Sequence, residues 1–312
     1  MEQETKNIQT EKQVYTKSPY LSHSRLSTYA DCSLRYYFNY EEKVPVIKTS
    51  LAREYGDAVH VGLEKFHKEL KNEKGTPEID FLVDAFDQSW ENKVMFSEIE
   101  ISKTEFDSYR QMGITSLAQY YKENKGTEWF KPPIGVEYSF EIPIIDFSTG
   151  EIITEEFNLF GLIDLILQYE NTLYLIDHKT SRFKYSDYTI SNSMQLTLYY
   201  YALVYLIMTD QIKNPDNLKL GVGFNLFQKT KSPKLFKYLT TRDDGDLARL
   251  IETIKRVIDG MQKKIYIPNF GSQRCEYCDF REPCTMWGKY GDEWKKKYIA
   301  KQGKVMELED ED

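Results

Sequence analysis

Long apolar segments are missing from this chain of 312 residues. A helix that spans a bilayer needs roughly 20 apolar residues in a row, and the best candidate, Leu198–Met208, is short and rich in tyrosine. The N-terminal stretch MEQETKNIQTEKQ is polar and has no hydrophobic centre, so it does not look like a secretory signal. We therefore expect a cytoplasmic protein without membrane contact.

A surplus of positive charge is missing as well, since the formal net charge is −8. This balance argues at first sight against a nucleic-acid partner. However, the last six residues contain five acids, and the rest of the chain carries only −3. We expect residues 285–312 to be a C-terminal extension ending in this acidic tail, and residues 1–20 to be disordered. Net charge therefore neither supports nor excludes a nucleic-acid partner.

Cysteines are scarce, and three of the four stand close together in the C-terminal segment RCEYCDFREPC, as Cys275, Cys278 and Cys284. The fourth, Cys32, lies far upstream. Disulfides are rare in a reducing compartment, whereas four thiolates suit a zinc ion or an iron–sulfur cluster. Either metal would join the two ends of the chain, and unmetallated cysteines are the remaining alternative.

Hydrophobic periodicity predicts a chain that mixes helices and strands. The predicted helices cover residues 22–40, 51–70, 80–92, 103–122, 187–209 and 244–264. The predicted strands cover residues 136–144, 160–168, 173–179, 219–228 and 235–239.

The segment FGLIDLILQYENTLYLIDHK, residues 160–179, predicts two largely buried strands joined by a turn at Glu170-Asn171. Charged residues in such strands are costly unless they have partners. Asp177 and Lys179 are two residues apart and leave the same face of one strand, while Asp164 can reach them from the neighbouring strand. Two carboxylates and an ammonium at this place could bind a hard divalent cation and hold a water beside it.

Other polar residues could join these charges. His60 follows Gly56 by one helical turn, and a single histidine on such a face is either a core residue or a metal ligand. Glu137, in a strand of alternating pattern, points either towards the site or to solvent. Gln195 and Tyr199 lie one turn apart on a predicted helix.

Taken in order, these residues resemble the iron–sulfur branch of the PD-(D/E)XK nuclease superfamily, which includes RecB-type and AddB-type nuclease domains and CRISPR-associated RecB-like exonucleases. The matching pieces are SRLSTY with Cys32, the G-x-x-x-H of Gly56 to His60, the G-x-x-D of Gly161 to Asp164, the D-x-K-T of Asp177 to Thr180, the Q-x-x-x-Y of Gln195 to Tyr199, and the three late cysteines.

The resemblance implies one α/β (α+β) nuclease domain over residues 21–284, with a restriction-endonuclease-like central mixed sheet flanked by helices. Within it we expect an N-terminal helical region, a helical insert at about 51–125, a catalytic core at about 135–264, and a C-terminal cysteine module. In that module Cys32, Cys275, Cys278 and Cys284 would hold a 4Fe-4S cluster, with zinc as the less favoured occupant.

The resemblance also implies metal-dependent hydrolysis of DNA phosphodiesters, with exonuclease activity. His60, Asp164, Asp177 and the backbone carbonyl of His178 would bind Mg²⁺ or Mn²⁺, and the imidazole favours Mn²⁺. Asp164, Asp177 and Lys179 would be catalytic, with Lys179 positioning the attacking water. A further set of residues would assist: Gln195 and Tyr199 would position DNA, and Glu137 would be a supporting acid.

Two departures and two alternatives stay open. Ser33 follows the first cysteine where the family usually has proline, and Asp177 stands where much of the superfamily has glutamate. The chain could instead be a catalytically idle module that binds DNA or a partner, or a zinc-stapled protein in which Asp164, Asp177 and Lys179 form buried salt bridges.

The expected partner is DNA, at ends or as single strands, in repair, recombination, phage DNA processing or CRISPR adaptation. No G-x-x-x-x-G-K-[ST] motif is present, so unwinding would need a separate helicase, and a recombination or integrase partner is also possible.

Overall fold

A computed structural model describes residues 19–45, 50–72, 75–97, 99–214 and 217–309, with only the backbone at 292 and 302–309. The disorder expected for residues 1–20 therefore falls almost entirely outside the described residues. Within them, Tyr20 and Leu21 form a short strand. No helix in the described ranges is both long enough and apolar enough to cross a membrane.

A mixed sheet of six strands forms the centre of the described chain, and a separate two-stranded ribbon lies beside it. The sheet strands are β1 (Tyr20–Leu21), β2 (Gly135–Pro143), β5 (Asn158–Tyr169), β6 (Thr172–Ser181), β7 (Lys219–Gln228) and β8 (Leu235–Thr240); the ribbon strands are β3 (Ile145–Asp146) and β4 (Glu151–Ile152). The predicted turn between β5 and β6 is present, with Glu170 in the left-handed region at φ 52°.

Along one of its edges, strand β5 pairs first with β1 and then with β6. It pairs with β2 over most of its length on one side. On the other side it pairs with β1 at Asn158 and Leu159, and with β6 only from Leu165 onwards. The segment between these two pairings, which includes Asp164, faces a gap that we call the fork. β6 continues past the fork and remains paired with β7 as far as Ser181.

Helices cover both faces of the sheet. They are α1 (His23–Asp31), α2 (Ser33–Tyr36), α3 (Leu51–Lys71), α4 (Ile79–Met95), α5 (Lys103–Asn124), α6 (Asp187–Ser191), α7 (Met194–Met208), α8 (Asp244–Gln262), α9 (Arg281–Tyr290) and α10 (Trp294–Glu309). This arrangement confirms the predicted mixed sheet flanked by helices.

Three apolar clusters stabilise the layers. One lies between the sheet and helices α7 and α8, where Leu175, Leu198 and Ile254 are buried. A second lies on the opposite face, among α3, α4 and α5. A third joins α2 to the C-terminal helices around Phe38 and Phe280.

Two helices predicted as continuous are broken. The helix predicted over 22–40 is interrupted at Cys32, whose backbone is extended, and it ends in a π-helical turn over Tyr37–Glu41. The helix predicted over 187–209 is interrupted at Asn192 and Ser193, because Ser193 caps α7 and the buried Arg242 guanidinium donates to the carbonyl of Ile190. Distant residues contact the chain at both breaks, Ile267 at Ser33 and Arg242 at Ile190, and local periodicity does not reveal such contacts.

The expected C-terminal extension, residues 285–312, begins inside α9 and continues through α10. Trp294 and Tyr298 are buried in the third cluster, so this part of the extension packs against the domain. The side chains of the acidic tail lie outside the described residues.

Candidate active site

Asp164 lies at the fork, where β5 has lost its backbone partner on β6. Its side-chain carboxylate accepts a hydrogen bond from β6 instead, since the His178 backbone N–H donates to Asp164 Oδ2 at 2.6 Å. Asp164 is 9% exposed, so the hydrogen bond offsets part of the cost of burying the carboxylate. The branching of the strands therefore positions Asp164 beside the D-x-K segment.

Asp177 is held on the α7 side of the sheet and is 3% exposed. Lys179 Nζ lies 2.6 Å from Asp177 Oδ2. Gln195 Nε2 donates to Asp177 Oδ1 at 2.8 Å, and Tyr199 O–H lies 3.3 Å from the same oxygen. Tyr199 O–H also lies 2.9 Å from the Leu162 carbonyl, which joins α7 to β5. Gln195 and Tyr199 thus contact the carboxylate that the sequence placed at the site.

His60 approaches from the opposite face on α3, with Nδ1 3.4 Å from Asp164 Oδ2. Gly56 makes this approach possible, because a Cβ there would lie 3.0 Å from Thr180 Oγ1 on β6.

Glu137 joins His60 and Asp164. One ligand atom from each of these three side chains lies within 4.8 Å of the other two, which is the spacing of a metal site. Glu137 has φ 49°, and the β2–β5 register passes from Val136 to Tyr138 without pairing it. This local distortion turns the side chain towards the fork.

The charges in this group depend on one another. Burial would lower the pKa of His60, but its hydrogen bond to Asp164 and the charges of Asp164 and Asp177 outweigh burial and raise that pKa to about 9. Conversely, burial would raise the pKa of Asp164, and the contact with His60 lowers it overall. Burial first, and then the charge of Asp164, raise the pKa of Glu137 to about 7.

On the α7 side, burial raises the pKa of Asp177 although the Lys179 ammonium opposes this. Burial would lower the pKa of Lys179, but the charge of Asp177 and its hydrogen bond raise that pKa overall. Lys179 is therefore an ammonium at neutral pH, as assumed from the sequence.

The His178 side chain points away from Asp177 and Lys179, into the layer of α3 and α5. Its ring stacks on that of His67, with centroids 6.1 Å apart, and Asn225 Nδ2 lies 3.4 Å from its Nδ1. His67 and Asn225 were not among the residues predicted from the sequence. The spacing of seven residues between His60 and His67, on one face of α3, was the signal that could have found His67.

The four cysteines surround a cavity of about 440 Å³ next to the third apolar cluster. None of them forms a disulfide. Among the described residues, no three cysteine sulfurs lie within 4.8 Å of one another. Four thiolates around a single zinc would be about 3.8 Å apart, given bonds of about 2.3 Å. No such tetrahedron of sulfurs is present among the described residues, and all four cysteines line the cavity.

Comparison with known proteins identifies the family. The model of the PD-(D/E)XK nuclease superfamily matches residues 20–285. The chain belongs to this superfamily. Its fold is also that of a crystal structure of "Putative exonuclease" from Eubacterium rectale, with 12% identity, a TM-score of 0.52, and coverage of 83% of this chain and 87% of that one.

A second solved structure, SSO0001, matches with 16% identity over 77% of this chain and 89% of that one, but its TM-score is only 0.27. A search of curated proteins gave no match. Membership of the PD-(D/E)XK superfamily supports a hydrolytic nuclease, and the site at the fork contains a possible acidic metal centre.

Proposed function

We propose that this chain is a metal-dependent deoxyribonuclease that acts as an exonuclease on DNA ends or single strands. One observation carries the proposal: Asp164, Asp177, His60 and Lys179 come from three separate elements and converge on one break in the sheet. An acidic cluster buried this deeply is costly in a purely structural role.

The residues at the fork fit a divalent cation. His60, Glu137 and Asp164 offer one nitrogen and two carboxylate groups within 4.8 Å of one another. We propose that Asp177 and the backbone carbonyl of His178 also bind this cation. When bound, Mg²⁺ or Mn²⁺ would neutralise phosphate charge and activate a water. The imidazole favours Mn²⁺ over Mg²⁺.

The chain's own residues would then act as follows. Lys179, kept positive by Asp177, would offset the negative charge that develops on the scissile phosphate. Gln195 and Tyr199 would hold the Asp177 carboxylate in place and position the DNA strand. Glu137, with a pKa of about 7, would change its protonation with small changes in its surroundings.

We further propose that Cys32, Cys275, Cys278 and Cys284 hold a 4Fe-4S cluster with a structural role. The cavity that all four cysteines line is the feature that supports this proposal. Thiols that remain unpaired also suit a reducing compartment such as the cytoplasm. We also propose that this chain acts together with a helicase, a recombination protein or an integrase.

A salt-bridge role is the competing account, because His60–Asp164 and Lys179–Asp177 form close pairs without any cation. Titration of chelator-treated protein with Mn²⁺ separates the two accounts. The nuclease account predicts stoichiometric binding at the fork, and the salt-bridge account predicts none.

Activity is tested by digesting linear DNA labelled at its 5′ or 3′ end, beside a circular control, with Mg²⁺ and with Mn²⁺. We expect loss of label from linear DNA, with the circle spared, in wild type only when metal is present. Lys179→Ala should lose cleavage while keeping the fold. Full cleavage by purified Lys179→Ala would rule out this mechanism.

A further inference from the structure

Two loops meet at the end of the sheet next to the fork. One follows β6 and contains Arg182, Phe183 and Lys184; the other, residues 229–234, connects β7 to β8. The Lys229 backbone N–H donates to the Ser181 carbonyl at 2.7 Å, and a side-chain amide on β7 donates to the Arg182 carbonyl. The loops are therefore held together as one surface.

This surface is strongly basic. Its cations, which we call the basic edge, are Arg182, Lys184, Lys229, Lys231 and Lys234. No aspartate or glutamate occurs between residues 178 and 186 or between 217 and 242. Four of the five cations are exposed, and none of the five takes part in an ion pair within the described part of the chain.

Among the described residues, Lys229 of the basic edge has no acidic partner. Lys229 is half-buried, and its Nζ donates only to the backbone carbonyl of Ala52 on α3. Burial, and then the charge of Arg182, lower the pKa of Lys229. Mutual repulsion of this kind is unfavourable in the free protein, and an anionic partner would relieve it.

An exposed aromatic residue stands among these cations. Phe183 is 73% exposed, between Arg182 and Lys184 in the chain. Proteins that bind single-stranded nucleic acid combine cations for the backbone with aromatic faces on which bases stack. Bases inside a duplex are already stacked on both faces, so this combination favours a single strand over the interior of a duplex.

The basic edge is continuous with the candidate active site. Lys179 and Ser181 lie on the same strand, with Lys179 beside Leu226 and Ser181 beside Gln228 on β7. Two residues of strand span roughly 6.6 Å, so the loop begins about one nucleotide away from the catalytic lysine. Asp164 and Asp177 are recessed, and a narrow single strand reaches such a position more easily than a double helix.

We propose that the basic edge and Phe183 form a track for single-stranded DNA that leads into the fork. Phosphates lie against Arg182, Lys184 and the lysines of the β7–β8 loop, and one base stacks on Phe183. This inference rests on the proposed nuclease function, and it adds which surface receives the strand.

Binding is measured with the Asp177→Asn chain, in which cleavage is expected to be slow, by fluorescence anisotropy of a labelled oligo-dT strand and of a blunt duplex of equal length. The variants are Arg182→Ala with Lys184→Ala, and Phe183→Ala. The control for the two cations is Lys213→Ala with Lys219→Ala, because Lys219 pairs with Thr172 at the opposite end of the β6–β7 ladder. The control for the aromatic residue is Met208→Ala, because Met208 is an apolar side chain that is 70% exposed.

Removing Arg182 and Lys184 should weaken single-strand binding roughly 25-fold near 0.1 M salt and reduce the salt-dependence slope by about 1.4, if each contacts one phosphate. Phe183→Ala should weaken single-strand binding by roughly fivefold or more, with an unchanged slope and unchanged duplex binding. Both control variants should bind within about twofold of the parent, since they lie away from the proposed track.

Equal losses in the control variants, or unchanged binding when Arg182 and Lys184 are removed, would overturn the track. Equal loss of duplex and single-strand binding in Phe183→Ala would overturn the stacking and the single-strand assignment. The two proposals fail separately. A wild-type chain that cleaves DNA while the variants bind normally refutes only the track. A chain without cleavage whose binding depends on Arg182 and Lys184 refutes only the nuclease.

Discussion

At the residue scale, each buried charge of the site has a specific partner. Asp177 contacts an ammonium and an amide donor, and Asp164 accepts a backbone N–H and contacts an imidazole. Such pairing makes burial tolerable, but it stabilises the fold little compared with apolar packing of the same volume. The arrangement is therefore better explained by chemistry than by stability.

Glu137→Gln tests whether this acid is a metal ligand. The amide keeps the size of the side chain but removes its negative charge, so we expect Mn²⁺ affinity and cleavage rate to fall by roughly tenfold or more. Isothermal titration with Mn²⁺ and the labelled-DNA assay measure the two effects. Glu141→Gln is the control, because Glu141 is exposed on the same strand and contacts Asn158. Wild-type metal affinity in Glu137→Gln would exclude a ligand role.

His67 predicts a pH dependence of stability. Burial first, and then the charge of His178, hold the pKa of His67 well below its ordinary value of 6.5. Below pH 6.5 the unfolded chain binds a proton there and the folded chain does not, so the free energy of unfolding falls as the pH drops. One such imidazole contributes at most about 1.4 kcal/mol per pH unit.

Urea unfolding of wild type and His67→Gln between pH 7.5 and 5 measures this contribution. Glutamine can still hydrogen-bond the hydroxyl of Tyr120, which lies 2.8 Å from His67 Nε2, but it does not titrate. We expect the loss of stability below pH 6.5 to be smaller in the variant. Parallel curves for the two proteins would contradict a neutral buried His67.

At the scale of elements, α3 packs closely against β6 at Gly56, where an added Cβ would lie 3.0 Å from Thr180 Oγ1. Gly56→Ala should push α3 away from Thr180, and His60 would move with the helix. We expect cleavage to fall by roughly tenfold, since small displacements of catalytic groups are costly. Thermal unfolding should change little, because alanine favours the helix by about 1 kcal/mol over glycine.

Thr180→Ala removes the hydroxyl that the new Cβ would meet. The double variant should therefore recover most of the activity that Gly56→Ala loses, and Thr180→Ala alone serves as the control. If the double variant is as slow as Gly56→Ala, the contact does not set the position of His60.

Element positions were largely predictable, and their interruptions were not. Strands such as β7 and helices such as α8 follow their periodic patterns within a few residues, because their apolar faces report burial directly. The break at Ser193 depends on Arg242, far along the chain, and the fork depends on β1 occupying part of the edge of β5. The sequence predicted that Asp164, Asp177 and Lys179 share one metal site, and that role stays a prediction. The orientation of Glu137 depends on the distortion of β2, which no sequence pattern showed.

At the scale of the whole molecule, the cysteine module joins the beginning of the chain to its end. Cys32 lies at the break between α1 and α2, and the other three cysteines precede or begin α9. All four cysteines line one cavity, and the cluster that they would hold stays a prediction. The packing of Trp294 and Tyr298 against the same cluster could not be foreseen, because the basic and acidic composition of this segment resembles a solvated tail.

Cys32→Ser tests the module. Purified wild type should be brown, with a broad absorbance near roughly 400 nm, and the variant should lose this absorbance because one ligand is missing. We also expect a lower midpoint of thermal unfolding in the variant, since the ends of the chain are no longer joined. A colourless wild type that contains zinc after anaerobic preparation would refute the cluster.

The central claim is tested most directly by Mn²⁺-dependent cleavage of end-labelled single-stranded DNA by wild type and by Asp177→Asn. The substitution keeps the shape of a buried side chain and removes the charge that Lys179 and the cation need. The account predicts metal-dependent cleavage by wild type and a rate at least roughly 100-fold lower in the variant, with both proteins folded. Cleavage by Asp177→Asn at the wild-type rate, or no metal-dependent cleavage by wild type, would contradict it.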